Sequence, residues 1–244
     1  MVRGFYMLTS GMLTQNRILN TVSNNVANLE TNGYKAQHLA PKTFGKMMID
    51  RIDSQRTPIG EVTLMTTAAD KADTDFSQGA ITSTGRALDF AVSGDGFFAV
   101  QGSGGTCYTR NGSFNLDDNG YLILNGVGRV LGKNGQPIYL GTDNVACDQQ
   151  GNLFIGNTSV GSIGIYRFPN QAGLNTVDEG LYQGGGAVVE QAPRIVWKSV
   201  ESSNADMGEE LTRGINSQRD LQTCSMALKM YDQVLGRAVD IGKV

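Results

Sequence analysis

Histidine, tryptophan and proline are scarce in this chain of 244 residues, which has one His, one Trp and five Pro. The single histidine, His38, stands between Gln37 and Leu39, and no Ser or Cys motif brings a base with it. No nucleophile, base and orienting acid can be assembled from the sequence, so the reading is non-enzymatic. The three cysteines, Cys107, Cys147 and Cys224, fall at no metal-ligand spacing. They read as small buried hydrophobes, and an oxidising compartment would allow a Cys107 to Cys147 bridge. No cofactor or metal site is expected. A run of eighteen apolar residues is also absent, so no membrane insertion is expected. The net charge is -3 with Lys and Arg scattered, which gives no basic footprint for nucleic acid or an anionic lipid surface. At the N-terminus, Thr9, Ser10, Thr14, Gln15 and Asn16 interrupt what a cleavable secretory signal needs as a continuous apolar core, so no such signal is read there.

Present instead are two helical stripes at the ends and glycine in the middle. Met1, Phe5, Leu8, Met12, Gln15, Leu19, Val22, Val26 and Leu29 step by alternating four and three residues, and all but Gln15 are apolar. A stripe that narrow keeps facing one partner along its length; the alternatives are a helix packed lengthwise on another helix and an ordinary core helix. Asn24, Asn25 and Asn28 weaken the helix, and Thr31-Asn32-Gly33 supplies a left-handed stop, predicting an end near Leu29. From Ala36 to Asp75 periodicity is weak. Phe44, Met47, Met48 and Ile52 suggest a short helical turn ended by Arg56-Thr57-Pro58-Ile59-Gly60, within an extended connector.

Glycine numbers 32, about twice the ordinary share, mostly between apolar alternations. Leu88, Phe90 and Val92 alternate, and Phe97-Phe98-Ala99-Val100 follows Gly94-Asp95-Gly96, predicting two strands joined by a tight reversal. Further short strands are predicted at Cys107 to Arg110, Phe114 to Leu116, Tyr121 to Leu124, Val127 to Leu131, Leu153 to Ile155 and Ile163 to Phe168. No crossover helices separate them, so an antiparallel all-β module ending near Trp197 is expected. Asn115, Asp117, Asn119 and Gly120 imitate the start of a calcium loop, but Gly126 stands where the bidentate Glu would be, and a hairpin turn is the better reading.

The helical period returns after Ser202. Ser203 to Asp206 resembles a capping box; Met207, Leu221, Leu228 and Leu235 lie at multiples of seven, with Leu211 and Gln218 on the alternate seam positions and Gly214 interrupting. The expected class is α+β in segregated parts: long N- and C-terminal helices pairing as a coiled coil, with a central antiparallel all-β domain. The boundaries read as 1–35 for the N-terminal helix, 36–77 for the connector, 78–197 for the β domain and 198–244 for the C-terminal helix.

Specific blocks of sequence sharpen this reading. Asn24-Asn25-Val26-Ala27-Asn28 followed by Thr31-Asn32-Gly33-Tyr34-Lys35 resembles the N-terminal signature of the bacterial flagellar rod and hook family. Leu88 to Val92, Gly94 to Gln101, Tyr108 to Phe114 and Gly120-Tyr121-Leu122 resemble its central domain, and Glu210-Leu211 with Gln218-Arg219 its C-terminal helix. The family usually carries an aromatic at the place of Leu221, an Asn at that of Cys224 and often a Lys at that of Met226. The resemblance implies a basal-body rod subunit that passes unfolded through the flagellar type III export apparatus. It would join copies of itself and other rod and hook subunits in a tube that transmits torque to the hook, a rod crossing the periplasm or cell wall. The interface residues would be Leu8, Met12, Gln15, Leu19, Val22, Asn24, Asn25, Val26, Asn28 and Leu29 on the first helix, and Leu211, Gln218, Leu221, Leu228 and Leu235 on the second. Gln15 and Gln218 would fix register on seams otherwise apolar. A ligand- or carbohydrate-binding β module with helical oligomerisation tails is the alternative from another class.

Overall fold

The structure, a computed structural model, describes residues 2–40, 46–52, 56–63, 72–102, 104–169, 173–178 and 180–241. Helix α1 (Val2–Ala27) opens the chain. It is followed by β1 (Gln37–His38), β2 (Lys46–Ile52), β3 (Arg56–Thr63), β4 (Asp73–Thr74), β5 (Ile81–Ser83), β6 (Phe90–Val92), β7 (Phe97–Gly102), β8 (Gly105–Thr109), β9 (Asn115–Leu116) and β10 (Leu122–Leu124). Then come β11 (Gly128–Val130), β12 (Ala146–Cys147), β13 (Asn152–Ile155), β14 (Thr158–Ser162), β15 (Ile165–Arg167), β16 (Asn175–Asp178), β17 (Leu181–Gln183), β18 (Val188–Val189), β19 (Ile195–Trp197) and β20 (Ser199–Glu201). Helix α2 (Met207–Ile241) closes it. Two compact units result: residues 1–27, 36–75 and 206–244 form one, and residues 28–35 with 76–205 form the other.

The helical unit holds α1, α2 and two small ribbons. Asp206 caps α2, its Oδ1 accepting the Glu209 N–H at 2.9 Å, and Glu209 and Glu210 in the first turn complement the helix dipole. Ser203 instead accepts the Ala205 N–H, so the cap falls at Asp206 rather than at the start of the Ser203 to Asp206 box. The connector departs from the sequence expectation. Met47, Met48 and Ile52 lie in β2, which pairs antiparallel with β3, and the expected helical turn is absent there; Phe44 lies outside the described residues. Pro58 sits within β3 where the register shifts between Ile49 and Asp50, the kind of bulge at which a strand tolerates a residue without an N–H. Ribbon β1 and β4 pairs Gln37 with Thr74 and His38 with Asp73.

In the β unit every strand pair is antiparallel. Strand β7 is its axis. It pairs with β8 along one edge and with β15 and then β11 along the other. Phe98 and Val100 point into one apolar cluster with Phe90, Phe114, Leu122, Leu153 and Ile163, while Phe97 and Ala99 point into a second with Phe168, Leu174 and Tyr182. A strand buried on both faces needs a continuous apolar run rather than an alternation, which is what Phe97 to Val100 supplies. The predicted pairing of the Phe90 and Phe97 strands across Gly94-Asp95-Gly96 does not form. Strand β6 pairs with β19 instead, and the turn, with φ of 101° at Gly94 and 136° at Gly96, passes the chain from one sheet to the next.

Two turns of the β unit are copies of one another. Asp117 Oδ1 accepts the N–H groups of Asn119 and Tyr121, and Asp148 Oδ1 accepts those of Gln150 and Asn152. Gly120 and Gly151 occupy the left-handed region at 81° and 84°, and Leu122 and Leu153, two residues further on, are both fully buried. Asp-x-x-Gly-x-Leu is therefore a repeated unit in which an aspartate closes the turn and a leucine anchors the returning strand.

Candidate assembly interface

Helices α1 and α2 touch through small and polar side chains as much as through apolar ones. A Cβ added to Gly4 would lie 3.4 Å from the Tyr231 ring, one on Gly11 3.7 Å from Cys224 Sγ, and one on Gly214 3.3 Å from Val22 Cγ1. Between these points Ser217 Oγ donates to Gln15, at 2.7 Å to Oε1 and 3.0 Å to the carbonyl, and Gln15 Nε2 donates to Asp220 at 3.4 Å. Rising numbers on α1 meet falling numbers on α2, so the helices run antiparallel. Among the α2 residues that face α1 are Glu210, Gly214, Ser217, Cys224 and Tyr231, spaced by fours, threes and sevens.

Of the sequence-selected positions, Val22 is buried, and Leu8, Met12, Gln15, Leu19, Val26, Leu29, Leu221, Leu228 and Leu235 are half-buried. Leu211, Gln218, Met207 and Met226 are exposed. Gln15 thus meets Ser217, not Gln218. A heptad stripe read from apolar residues and two glutamines passes over the glycine, serine and cysteine that permit the closest approach. Met1 lies outside the described residues. A groove of about 320 Å3 opens along the helix pair, lined by Phe5, Met12, Leu228, Tyr231 and Leu235 with Ser225, Lys229 and Asp232 at its margins.

The asparagines of the signature divide their work. Asn25 is fully buried; its Nδ2 donates to the Gln37 carbonyl at 2.8 Å and to Glu210 Oε1 at 3.0 Å, and its Oδ1 accepts the Gln37 N–H at 3.0 Å. One amide therefore mimics a strand partner for β1 and also holds the first turn of α2. Glu210, buried beside it, lies 3.9 Å from His38 Nδ1, to which Arg213 Nη1 is bonded. The lone histidine is thus part of a helix-to-ribbon junction. Asn28 belongs to the β unit, where it is buried and accepts the Thr31 hydroxyl at 2.9 Å. Asn24 is exposed.

Features that resemble sites of chemistry are committed elsewhere. Asp117 Oδ2 accepts Arg129 Nη2 at 3.1 Å while Oδ1 takes two backbone N–H groups, which leaves the pseudo-calcium turn closed on itself. Among the described residues no three His, Cys, Asp or Glu side chains converge as a metal site. Burial, with the Asp148 charge adding to it, pushes the Cys147 thiol up to about 12, so it stays protonated. Cys107, Cys147 and Cys224 are all free thiols; Cys107 lies on β8 and Cys147 on β12, in different sheets. Trp197, the single tryptophan, donates its indole N–H to the Ala87 carbonyl at 2.8 Å and has the Lys198 ammonium 4.3 Å above its ring. No described helix is long and apolar enough to cross a membrane.

A helix pair with much apolar surface still uncovered, joined in sequence to an antiparallel β unit, has the build of a structural assembly protein. Residues 5–35 match the flagella basal body rod protein family, and residues 91–157 match the flagellar hook protein FlgE/F/G D1 domain. Across nearly its whole length the chain is similar to the flagellar basal-body rod protein FlgG of Bacillus subtilis, 31% identical over 99% of each chain. It is 30% identical to FlgG of Buchnera aphidicola from Acyrthosiphon pisum, over 96% of this chain and 98% of the other. Likeness to the basal-body rod protein FlgF of Caulobacter vibrioides is 29% over the full length of both. The chain belongs to the flagellar basal-body rod protein family, and it is a non-enzymatic structural subunit of the basal-body rod.

Proposed function

We propose that this subunit self-assembles through its terminal helices, with copies of itself and with other rod and hook subunits, into a helical tube that transmits torque to the hook. The observation that supports this is the apolar surface that the helix pair leaves uncovered: Tyr6 and Leu13 on α1 are 64% and 62% exposed, and Met230 and Val234 on α2 are 60% and 64% exposed. Monomeric soluble proteins seldom display such rows, and on a helix pair they mark the faces for further helices. Within the subunit the pair acts as a coiled coil with Gln15 and Ser217 setting register. Residues 1–35 and 198–244 are the assembly core, 36–77 the connector and 78–197 the central β domain. Leu8, Met12, Leu19, Val22, Val26 and Leu29, with Leu211, Gln218, Leu221, Leu228 and Leu235, serve this interface, and Asn24, Asn25 and Asn28 shape its end.

The subunit reaches the rod unfolded, through the flagellar type III apparatus, and works in the periplasm or cell wall. It takes neither nucleic acid nor a lipid bilayer as partner. Apolar burial on incorporation supplies the assembly energy and offsets the cost of ordering the helices, whose disorder beforehand guards against premature polymerisation. Leu19→Asp or Leu228→Asp is expected to abolish incorporation into rods while the β unit still melts cooperatively; motility equal to wild type in either variant refutes the helix-seam account.

A further inference from the structure

Three charged side chains of the β unit are removed from water together. Lys35 and Glu201 are 0% exposed and Arg110 is 2% exposed. Lys35 Nζ donates to Glu201 Oε1 at 2.5 Å and to the Ser77 carbonyl at 2.6 Å. Glu201 Oε1 also accepts the Gly79 N–H at 3.0 Å, and Oε2 accepts Arg110 Nη1 at 3.1 Å. Two cations thus share one carboxylate, and the Arg110 guanidinium rests 5.1 Å from the Phe97 ring centroid, where the π face attracts its charge.

The cluster ties four chain segments that are distant in sequence, and the backbone is shaped to fit it. The Gly33 N–H donates to the Glu201 carbonyl at 2.7 Å, the Asn204 N–H to the Tyr34 carbonyl at 3.4 Å, and Asn204 Nδ2 to the Ser77 carbonyl at 3.2 Å. A Cβ on Gly33 would come within 2.3 Å of the Arg110 carbonyl carbon, and one on Gly79 within 2.1 Å of the Ser202 carbonyl oxygen. Both positions require glycine for close approach, and Gly33 also for its φ of 69°. Isolated buried charge is costly, so this arrangement holds only while all four segments are in place.

We infer that Lys35, Glu201 and Arg110 form a clasp that makes Thr31–Lys35 a cooperative part of the β unit, fixing the chain that leaves α1 beside the chain that enters α2. The clasp holds both of these chain segments at one point of the β unit. It rests on the β unit's own geometry and stands independently of rod assembly.

Native-state amide exchange on the full-length monomer tests this. Expected is a Gly33 N–H that exchanges within about threefold of the Val100 N–H in the central strand, because both wait for the same opening. A Gly33 rate about tenfold or more above that of Val100 overturns the inference. Glu201→Gln removes the carboxylate that both buried cations share and is expected to raise Gly33 and Gly79 exchange about 100-fold relative to Val100. Should that variant fail to fold, Lys35→Met, which leaves Glu201 paired with Arg110 and Gly79, is expected to raise Gly33 exchange about tenfold relative to Val100. An unchanged ratio in whichever variant folds shows that the charges do not hold the segment, and overturns the clasp.

Discussion

Asp117 and Asp148 show how one residue sets a turn and its response to pH. Desolvation pushes the Asp117 carboxyl up, but the Tyr121 N–H, the Arg129 guanidinium with its charge and the Asn119 N–H outweigh that and hold it below the ordinary carboxylate range. At Asp148 desolvation is likewise overcome, here by the Asn152 side chain and the N–H groups of Asn152, Gln150 and Gly151. A carboxyl lowered in the folded state contributes stability above its unfolded pKa of about 3.9, and loses it as pH falls through the lower folded value. Wild type is therefore expected to exceed Asp117→Asn and Asp148→Asn in urea midpoint at neutral pH, with the gap closing in acid. A gap that stays constant down to about pH 2 would contradict the assignment. Lys198 offers a second test at this scale. It is the one non-glycine residue with positive φ among those described, at 56°, and its carbonyl accepts the N–H groups of Thr84 and Gly85. Lys198→Ala and Lys198→Gly both lose the contact with Trp197, but only glycine relieves the left-handed backbone, so the Gly variant should be the more stable by about 1 kcal/mol in chemical denaturation.

Among the elements, the helices owe their pairing to what α2 omits on the side facing α1. Gly214→Leu would force a side chain against Val22 and is expected to destabilise the helix pair by about 1–3 kcal/mol, followed by circular dichroism at 222 nm. Gly236, whose added Cβ would meet nothing within 4 Å, behaves oppositely: Gly236→Ala should stabilise α2 by about 1 kcal/mol. That contrast explains what the sequence made legible. Leu221, Leu228 and Leu235 announced a heptad because leucine counts as apolar; Gly214, Ser217 and Cys224 did not, because close packing of small side chains leaves no hydrophobic signature. The same limit applies to strands. The β7 run and the Asp117 hairpin were readable, whereas β14 and β16, mostly or wholly exposed, have no alternation to detect. The β2 and β3 ribbon was hidden by Pro58, which reads as a breaker until the bulge that accommodates it is known.

For the whole molecule, the lone tryptophan separates the two units spectroscopically. Trp197 packs against the main apolar cluster of the β unit, so its emission reports that unit alone, while ellipticity at 222 nm is dominated by α1 and α2. The β unit has fully buried phenylalanines on both faces of its central strand. The helices meet along a narrow seam containing Gly4, Gly11, Gly214 and Ser217, and bury far less apolar surface per residue. Asn28 to Lys35 carries most of the Asn24 to Lys35 signature into the β unit, a division that no sequence period reveals because Lys35 and Glu201 meet only through the fold. Urea unfolding of the monomer is therefore expected to give two curves that do not coincide, with ellipticity lost at lower urea than the tryptophan signal. Raising the protein concentration should shift the ellipticity midpoint upward, because association covers the exposed faces of α1 and α2, and leave the emission midpoint in place. Superimposable curves at every concentration would mean that the helices and the β unit fold as one, and would remove the physical basis for helices that order only on assembly.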